Sequence, residues 1–176
     1  MAFKTLCFIL IVLALTCPDE ISGAFFRRAN GPPVCFSASG AKPGKFRAPR
    51  SGGMAGVKLV HVYGYVSCHR HAATNWSPWG CGLGAHQEIN TVITNAKNQH
   101  LLPPSQFLST HHAPGKWHRI PGYTSMSPVL ELKAFGKPIS VSSGQELRLW
   151  YGEDLVNYTE GDNGGTACAD VYILYV

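Results

Sequence analysis

Two segments near the C-terminus limit the fold more than any other feature of the chain. Residues 144–152 place Leu147 and Leu149 on one face and charged residues on the other, which is the period-two pattern of a half-buried β-strand. Residues 168–176 follow as a second strand that is apolar on both faces. The connection between them is polar and glycine-rich, which is typical of a folded loop.

The rest of the chain repeats this kind of pattern in short segments. Residues 57–68 are apolar on both faces, which favours a central position in a sheet, and residues 89–94 are expected to form a further strand. Apolar and polar residues alternate in residues 129–135, and no stretch shows the apolar stripe of an amphipathic helix. Gly64 interrupts the first segment, which predicts a β-bulge or the close approach of another strand. About eight short strands with frequent turns predict an all-β fold, namely an antiparallel β-sandwich of jelly-roll type.

Residues 1–24 have the features of a secretory signal peptide. Lys4 is followed by an uncharged, largely apolar run over residues 5–17, which is shorter than the roughly 20 residues that a membrane-spanning helix needs. Ser22 and Ala24 occupy the small-residue positions before a cleavage site. We therefore expect a secreted, extracellular protein without a transmembrane segment.

Cleavage after Ala24 leaves four cysteines in the mature chain. In an oxidising compartment, four cysteines form two disulfides by default. Three pairings are compatible with the sequence. We favour Cys68–Cys81, which closes a short loop, and Cys35–Cys168, which ties the first strand to the last. Zinc binding by the same thiols is the alternative, but no Cys-x-x-Cys spacing supports it.

Charge is distributed unevenly. No acidic residue occurs between Phe25 and Gln87, so the Gly/Pro-rich segment 25–56, with an expected edge strand at residues 34–38, is basic. The β-sandwich domain is expected over residues 57–176. A basic face can bind glycans, extracellular matrix or acidic surfaces, or it can match the acidic C-terminal loop of the same chain. Nucleic acid is not an expected partner because no nucleic-acid-binding motif is present.

Two partial resemblances rest on these segments. The glycine-led strand, the Asp-Asn-Gly loop at residues 162–164 and the ending at residues 173–175 resemble the last two strands of the C1q and tumour-necrosis-factor jelly roll. The Asn-Trp…Trp-Gly-Cys-Gly run of residues 75–82 and the Trp-Tyr-Gly-Glu-Asp-Leu run of residues 150–155 are similar to secreted invertebrate proteins of the extracellular or skeletal matrix. The resemblance implies a compartment and a fold class but no mechanism.

Tryptophans in loops are the candidates for a sugar-binding surface. Trp76, Trp79 and Trp117 stand beside polar residues, and an exposed indole face matches the C–H face of a pyranose. Buried anchors around a disulfide would show the same sequence pattern.

The loop between the last two strands carries oxygen ligands of the kind that calcium selects. Asp154, Glu160, Asp162 and Asn163 are the candidate metal ligands, although their spacing does not match an EF-hand. A solvated loop without metal is the alternative, and no other cofactor is expected.

Histidines indicate a second metal chemistry. His69 and His71 project from one face if the preceding strand continues, which is a spacing suited to zinc or copper. The other histidines available to such a site are His86, His111, His112 and His118. Scattered surface histidines are the simpler interpretation, since a metal site needs a converging third ligand.

The chain lacks Gly-x-Ser-x-Gly, His-Glu-x-x-His and a phosphate-binding glycine loop, so we expect no enzymatic activity.

Asparagine sequons predict a glycoprotein. Asn75 and Asn157 each precede Ser or Thr by two residues, and Asn157 is the better acceptor because Pro78 follows the first sequon.

Together these features predict a secreted, non-enzymatic component of extracellular matrix, skeletal matrix included, that acts by structure or by interaction. Homo-oligomerisation stays open. A lectin-like carbohydrate-binding module, with or without calcium, is the first alternative, and a metal-dependent enzyme that uses the histidines is the second.

Overall fold

A computed structural model describes residues 23–83, 87–110 and 113–176, so nearly all of the predicted signal peptide lies outside the described residues. The strands within these ranges are β1 (Phe25–Arg28), β2 (Val34–Ser37), β3 (Gly44–Arg47), β4 (Gly52–Ser67), β5 (Trp76–Ser77), β6 (Thr91–Asn95), β7 (His100–Leu102), β8 (Val129–Lys133), β9 (Ile139–Val141), β10 (Glu146–Tyr151) and β11 (Gly164–Tyr175). One short helix, α1 (Gly152–Val156), and 3₁₀ turns at Ala73–Asn75, Ser105–Phe107 and Glu160–Asp162 complete the described elements.

The larger sheet is built on the two longest strands, β4 and β11, which pair antiparallel along almost their whole lengths. On its other side β11 pairs with β1 and then with β2. The free side of β4 pairs in turn with β9, β8 and β5. The expected edge strand in the Gly/Pro-rich segment is therefore β2, and that segment also supplies β1, β3 and the start of β4.

The smaller sheet has the order β3-β10-β6-β7 and packs against the larger one. Leu147 and Leu149 of β10 are completely buried, as are Val171 and Ile173 of β11 in the opposite sheet. The period-two pattern of residues 144–152 thus marks the inward face of a sandwich strand. The prediction of an all-β, disulfide-stabilised sandwich is confirmed.

Both predicted disulfides are formed. Cys35 is bonded to Cys168 and joins β2 to β11, while Cys68 is bonded to Cys81 and closes the loop that follows β4. The strand pairing explains the first bond, because the two cysteines are directly opposite each other across the β2–β11 ladder.

Gly64 lies beside an irregularity in the β4–β11 ladder, as the sequence predicts. The register shifts between Cys168 and Ala169, and Gly64 adopts a φ of 74°, in the left-handed region. A Cβ atom at this position would collide with the carbonyl oxygen of Thr166.

Across the described ranges, none of the helices has the length and apolar character required to cross a bilayer.

Candidate functional site

Isolated β-bridges build a small platform beside the smaller sheet. Ile89 bridges both Gly80 and His118, and His118 also bridges Leu108. Reciprocal backbone hydrogen bonds join Ile89 and His118, with N···O distances of 3.0 and 2.8 Å. These bonds pair irregular loop segments through their backbones, as in a sheet, so the platform can fix the directions of side chains.

Side chains on this platform alternate between the core and the surface. Ile89 and His118 are completely buried. Because neighbouring residues of an extended chain point to opposite faces, Glu88 and Arg119 are directed away from those two residues. The antiparallel Ile89–His118 pair also makes Glu88 and Arg119 cross-strand neighbours.

Glu88 is a buried acid, and only one of its two carboxylate oxygens has a hydrogen-bond partner among the described residues. Its side chain accepts a hydrogen bond at Oε1 from Arg119 Nε at 2.6 Å and another from Ser109 Oγ at 3.1 Å. The residue is only 4% exposed, and Oε2 is buried without a hydrogen-bond partner among the described residues. A buried carboxylate oxygen is costly to leave unpaired, so Oε2 is an unused hydrogen-bond acceptor within the described part of the chain.

An open cleft of about 450 Å³ lies over this carboxylate, and we call it the Glu88 cleft. Gln87, Arg119, Tyr123 and Thr124 contribute to its lining. The cleft thus combines a carboxylate acceptor, a guanidinium donor, an amide, a hydroxyl and an aromatic ring. Its volume falls in the range of small-ligand sites, roughly 300–1,000 Å³, and its chemistry suits a neutral molecule rich in hydroxyl groups.

The floor of the cleft includes His118, whose pKa is lowered to about 3, mainly by burial and then by the nearby His100. The two imidazole rings meet edge to face with centroids 5.5 Å apart, and burial also lowers the pKa of His100. Both histidines are therefore neutral at physiological pH, and neither places a positive charge beneath the Glu88 carboxylate.

Two of the three predicted sugar-binding tryptophans are core residues, which corrects that expectation. Trp79 is completely buried and donates from Nε1 to the carbonyl of Ser127, while Trp117 is 8% exposed and donates to Glu153 Oε1. Neither indole face is available to a sugar. Trp76, in β5, is half-buried and is the one member of the trio that reaches solvent.

The predicted acidic ligands separate into different environments. Asp154 and Glu160 come together beside the turn after β2, where Asp154 accepts hydrogen bonds from the backbone N–H groups of Ala41 and Lys42. Contact with Asp154, burial and like-charge repulsion raise the pKa of Glu160, in that order of importance. Asp162 instead turns to the surface and pairs with His69 Nδ1 at 3.0 Å.

Asn163 takes part in a buried network around Glu153. The Glu153 carboxylate accepts hydrogen bonds from Trp117 Nε1, Thr159 Oγ1 and Asn163 Nδ2 at 2.9, 3.1 and 3.0 Å. Burial raises its pKa, and these hydrogen bonds oppose the rise. The network fixes α1 against the platform and explains why Trp117 is buried.

The predicted histidine site does not assemble within the described chain. His69 and His71 lie edge to face with ring centroids 5.8 Å apart, but no third ligand joins them. No group of three or more His, Cys, Asp or Glu side chains able to hold a metal occurs among residues 23–83, 87–110 and 113–176. His86, His111 and His112 lie outside the described residues.

The two glycosylation sequons differ in accessibility. Asn157 is exposed and ends α1 in the left-handed conformation. Asn75 is half-buried, and its side-chain nitrogen contacts Cys68 Sγ at 3.9 Å. The structure thus favours the same acceptor that the sequence favours.

Glu88 itself was missed by motif reasoning, although the sequence contains a signal for it. It is the sole acidic residue between Ile21 and Leu130. An isolated acid in a long basic region is a candidate for a specific role, because it does not belong to a mixed-charge solvated surface.

Comparison with protein-family models and with curated proteins finds no match. Among solved structures, the chain is similar to AJLec from the sea anemone Anthopleura japonica, with 34% sequence identity and a TM-score of 0.79. The similarity covers 86% of this chain and 98% of AJLec. It therefore includes both sheets, and the chain belongs to the same protein family as AJLec.

Proposed function

We propose that this protein is a secreted lectin that binds the hydroxyl groups of a glycan in the Glu88 cleft. The observation that carries the proposal is that Glu88, whose buried Oε2 has no hydrogen-bond partner among the described residues, lines an open cleft. AJLec is a sea anemone lectin, and this relationship supports carbohydrate binding over the other functions that the sequence allows.

Each group in the cleft has a role in such binding. The Glu88 carboxylate accepts hydrogen bonds from vicinal hydroxyls, and Arg119 donates to hydroxyl or ring oxygens while it also orients Glu88. Tyr123 offers an aromatic ring to the C–H face of the sugar. Binding of this kind needs no chemical step, which agrees with the absence of enzyme motifs in the sequence.

Substitution of the carboxylate tests the proposal. A glycan array identifies the bound terminal sugar, and calorimetric titration compares its methyl glycoside on wild type, Glu88→Gln and Glu146→Gln. Glu146 is the matched control because its carboxylate pairs with Arg148 on β10, away from the cleft. Loss of a hydrogen bond to a charged group is worth roughly 1.5–3 kcal/mol, so Glu88→Gln weakens binding by about tenfold or more. Equal affinities for all three proteins would refute the proposal.

Calcium at the Asp154–Glu160 pair is a second candidate feature, favoured by the direct contact between these two carboxyl groups. Added calcium would then raise the thermal midpoint of wild type and of Asp162→Asn, but not of Asp154→Asn. Asp162 is the control because it faces His69 and not Glu160. An equal response of all three proteins, or none, would contradict calcium binding at this pair.

Extracellular matrix remains an alternative setting. If no glycan is retained and the purified protein associates with itself or with matrix components, the structural role predicted from the sequence is the better account.

A further inference from the structure

A second, apolar cleft adjoins the Glu88 cleft, and three residues line both of them. Ile120, Pro121 and Tyr123 line both cavities. The second cleft has a volume of about 210 Å³, and we call it the Phe135 cleft after its most exposed aromatic side chain. A molecule that extends beyond the Glu88 cleft across Tyr123 therefore enters the Phe135 cleft.

The Phe135 cleft presents aromatic carbon that the described chain does not cover. Phe107 and Phe135 contact each other edge to face with ring centroids 5.2 Å apart. Phe135 follows β8 and is 57% exposed, although it is large and apolar. An exposed aromatic ring at the rim of a cavity offers apolar surface to a ligand, and removal of that surface from water on binding is favourable.

The rim of this cleft is polar. Glu131 and Lys133 of β8 both line it and approach each other at 3.5 Å. They offer a hydrogen-bond acceptor and a donor beside an apolar floor. This combination matches one sugar ring, which has an apolar C–H face and a hydroxyl edge.

The size of the cavity indicates that it serves as an extension and not as an independent site. Its volume lies below the roughly 300 Å³ at which self-sufficient small-ligand pockets begin. It is also too small to receive a helix or a strand of a protein partner. A single ring connected to a molecule in the neighbouring cleft fits both constraints.

We propose that the Phe135 cleft is a second subsite, which binds the sugar residue next to the terminal sugar held in the Glu88 cleft. The ligand class is thus an oligosaccharide of at least two residues, and specificity arises at both residues. This inference rests on the proposed function of the Glu88 cleft.

Affinities for short and longer ligands test the subsite directly. The probes are methyl glycosides of galactose, glucose, mannose, fucose and N-acetylglucosamine, each compared with disaccharides that carry the same terminal residue. Calorimetric titration uses wild type, Phe135→Ser and the control Tyr158→Ser. Tyr158 is also an exposed aromatic residue, but it lies outside both clefts.

We expect wild type to bind the preferred disaccharide about tenfold more tightly than the methyl glycoside, which corresponds to roughly 1.4 kcal/mol. Phe135→Ser removes that difference and leaves methyl glycoside binding unchanged, whereas Tyr158→Ser retains the difference. Equal affinities of wild type for both ligand lengths would overturn the second subsite while the Glu88 cleft stands. If no probe binds wild type, both proposals fail together.

Discussion

His118 makes the stability of the protein sensitive to acid. The folded chain holds its imidazole neutral at a pKa of about 3, whereas the unfolded chain has the ordinary value of 6.5. Between these values the unfolded state binds the proton and the folded state does not. Stability is therefore full above pH 6.5 and is lost as the pH falls towards 3.

The size of the effect follows from the two pKa values. Between pH 7 and pH 5 the unfolded chain gains about three quarters of a proton at His118, which lowers the free energy of unfolding by about 2 kcal/mol. His100 acts in the same direction because burial lowers its pKa as well. Glu153 and Glu160 act in the opposite direction, since their raised pKa values favour the folded state as they become protonated.

The contribution of His118 is separated from that of the two carboxylates by comparing how much unfolding free energy each variant loses between pH 7 and pH 5. Denaturant unfolding at pH 7 and pH 5 is measured for wild type, His118→Leu and the control His71→Leu, whose side chain is exposed. We expect the wild type and the control to lose about 2 kcal/mol more than His118→Leu over this range. If the three proteins lose the same free energy, His118 is not held neutral in the folded state and the reasoning fails.

Three further predictions concern the scaffold. Gly64→Ala should destabilise the protein by about 1–3 kcal/mol, because its backbone is left-handed and the new methyl group meets the Thr166 carbonyl. An unchanged denaturation midpoint would argue against this backbone conformation and the close approach of Thr166. Replacing Cys35 and Cys168 together by alanine removes a crosslink between residues 133 positions apart and should cost about 2–5 kcal/mol, and a smaller loss in chemical denaturation would show that strand pairing alone suffices. Asn157→Gln should abolish a glycan mass shift on protein from a eukaryotic secretion system, and a persistent shift would place the glycan elsewhere.

The fold could be predicted from the sequence because its signals are local or pairwise. Alternation in residues 144–152 marks one buried face, and a β-sandwich strand has such a face by construction. A glycine inside a strand, such as Gly64, predicts an irregular backbone at its own position. The Cys35–Cys168 pairing is predicted because the strand that contains Cys35 is expected to lie beside the last strand, and β2 does pair with β11.

The candidate site could not be predicted in the same way, because it depends on which distant loops become neighbours. Trp117 and Glu153 are separated by 36 positions, yet they are hydrogen-bonded and the indole is buried. Local sequence does not distinguish a buried tryptophan from an exposed one. Glu88 is given its environment by Arg119 and Ser109, which reach it only through β-bridges between irregular segments.

The acidic residues of the C-terminal loop also show why closeness in sequence does not establish a single ligand set. Its side chains are close in sequence, but Asp154 bonds to the turn after β2 and Asp162 points towards the loop after β4. The short helix α1 and the 3₁₀ turn at Glu160–Asp162 separate their directions. Proximity along the chain therefore overestimates convergence in space.

The location of a bound sugar is the most direct test of the account. A crystal structure of the protein with its preferred disaccharide should show the terminal sugar hydrogen-bonded to Glu88 and beside Tyr123, with the next residue against Phe135. Sugar density at the acidic loop around Asp154, or on half-buried Trp76, with an empty Glu88 cleft, would contradict the central claim.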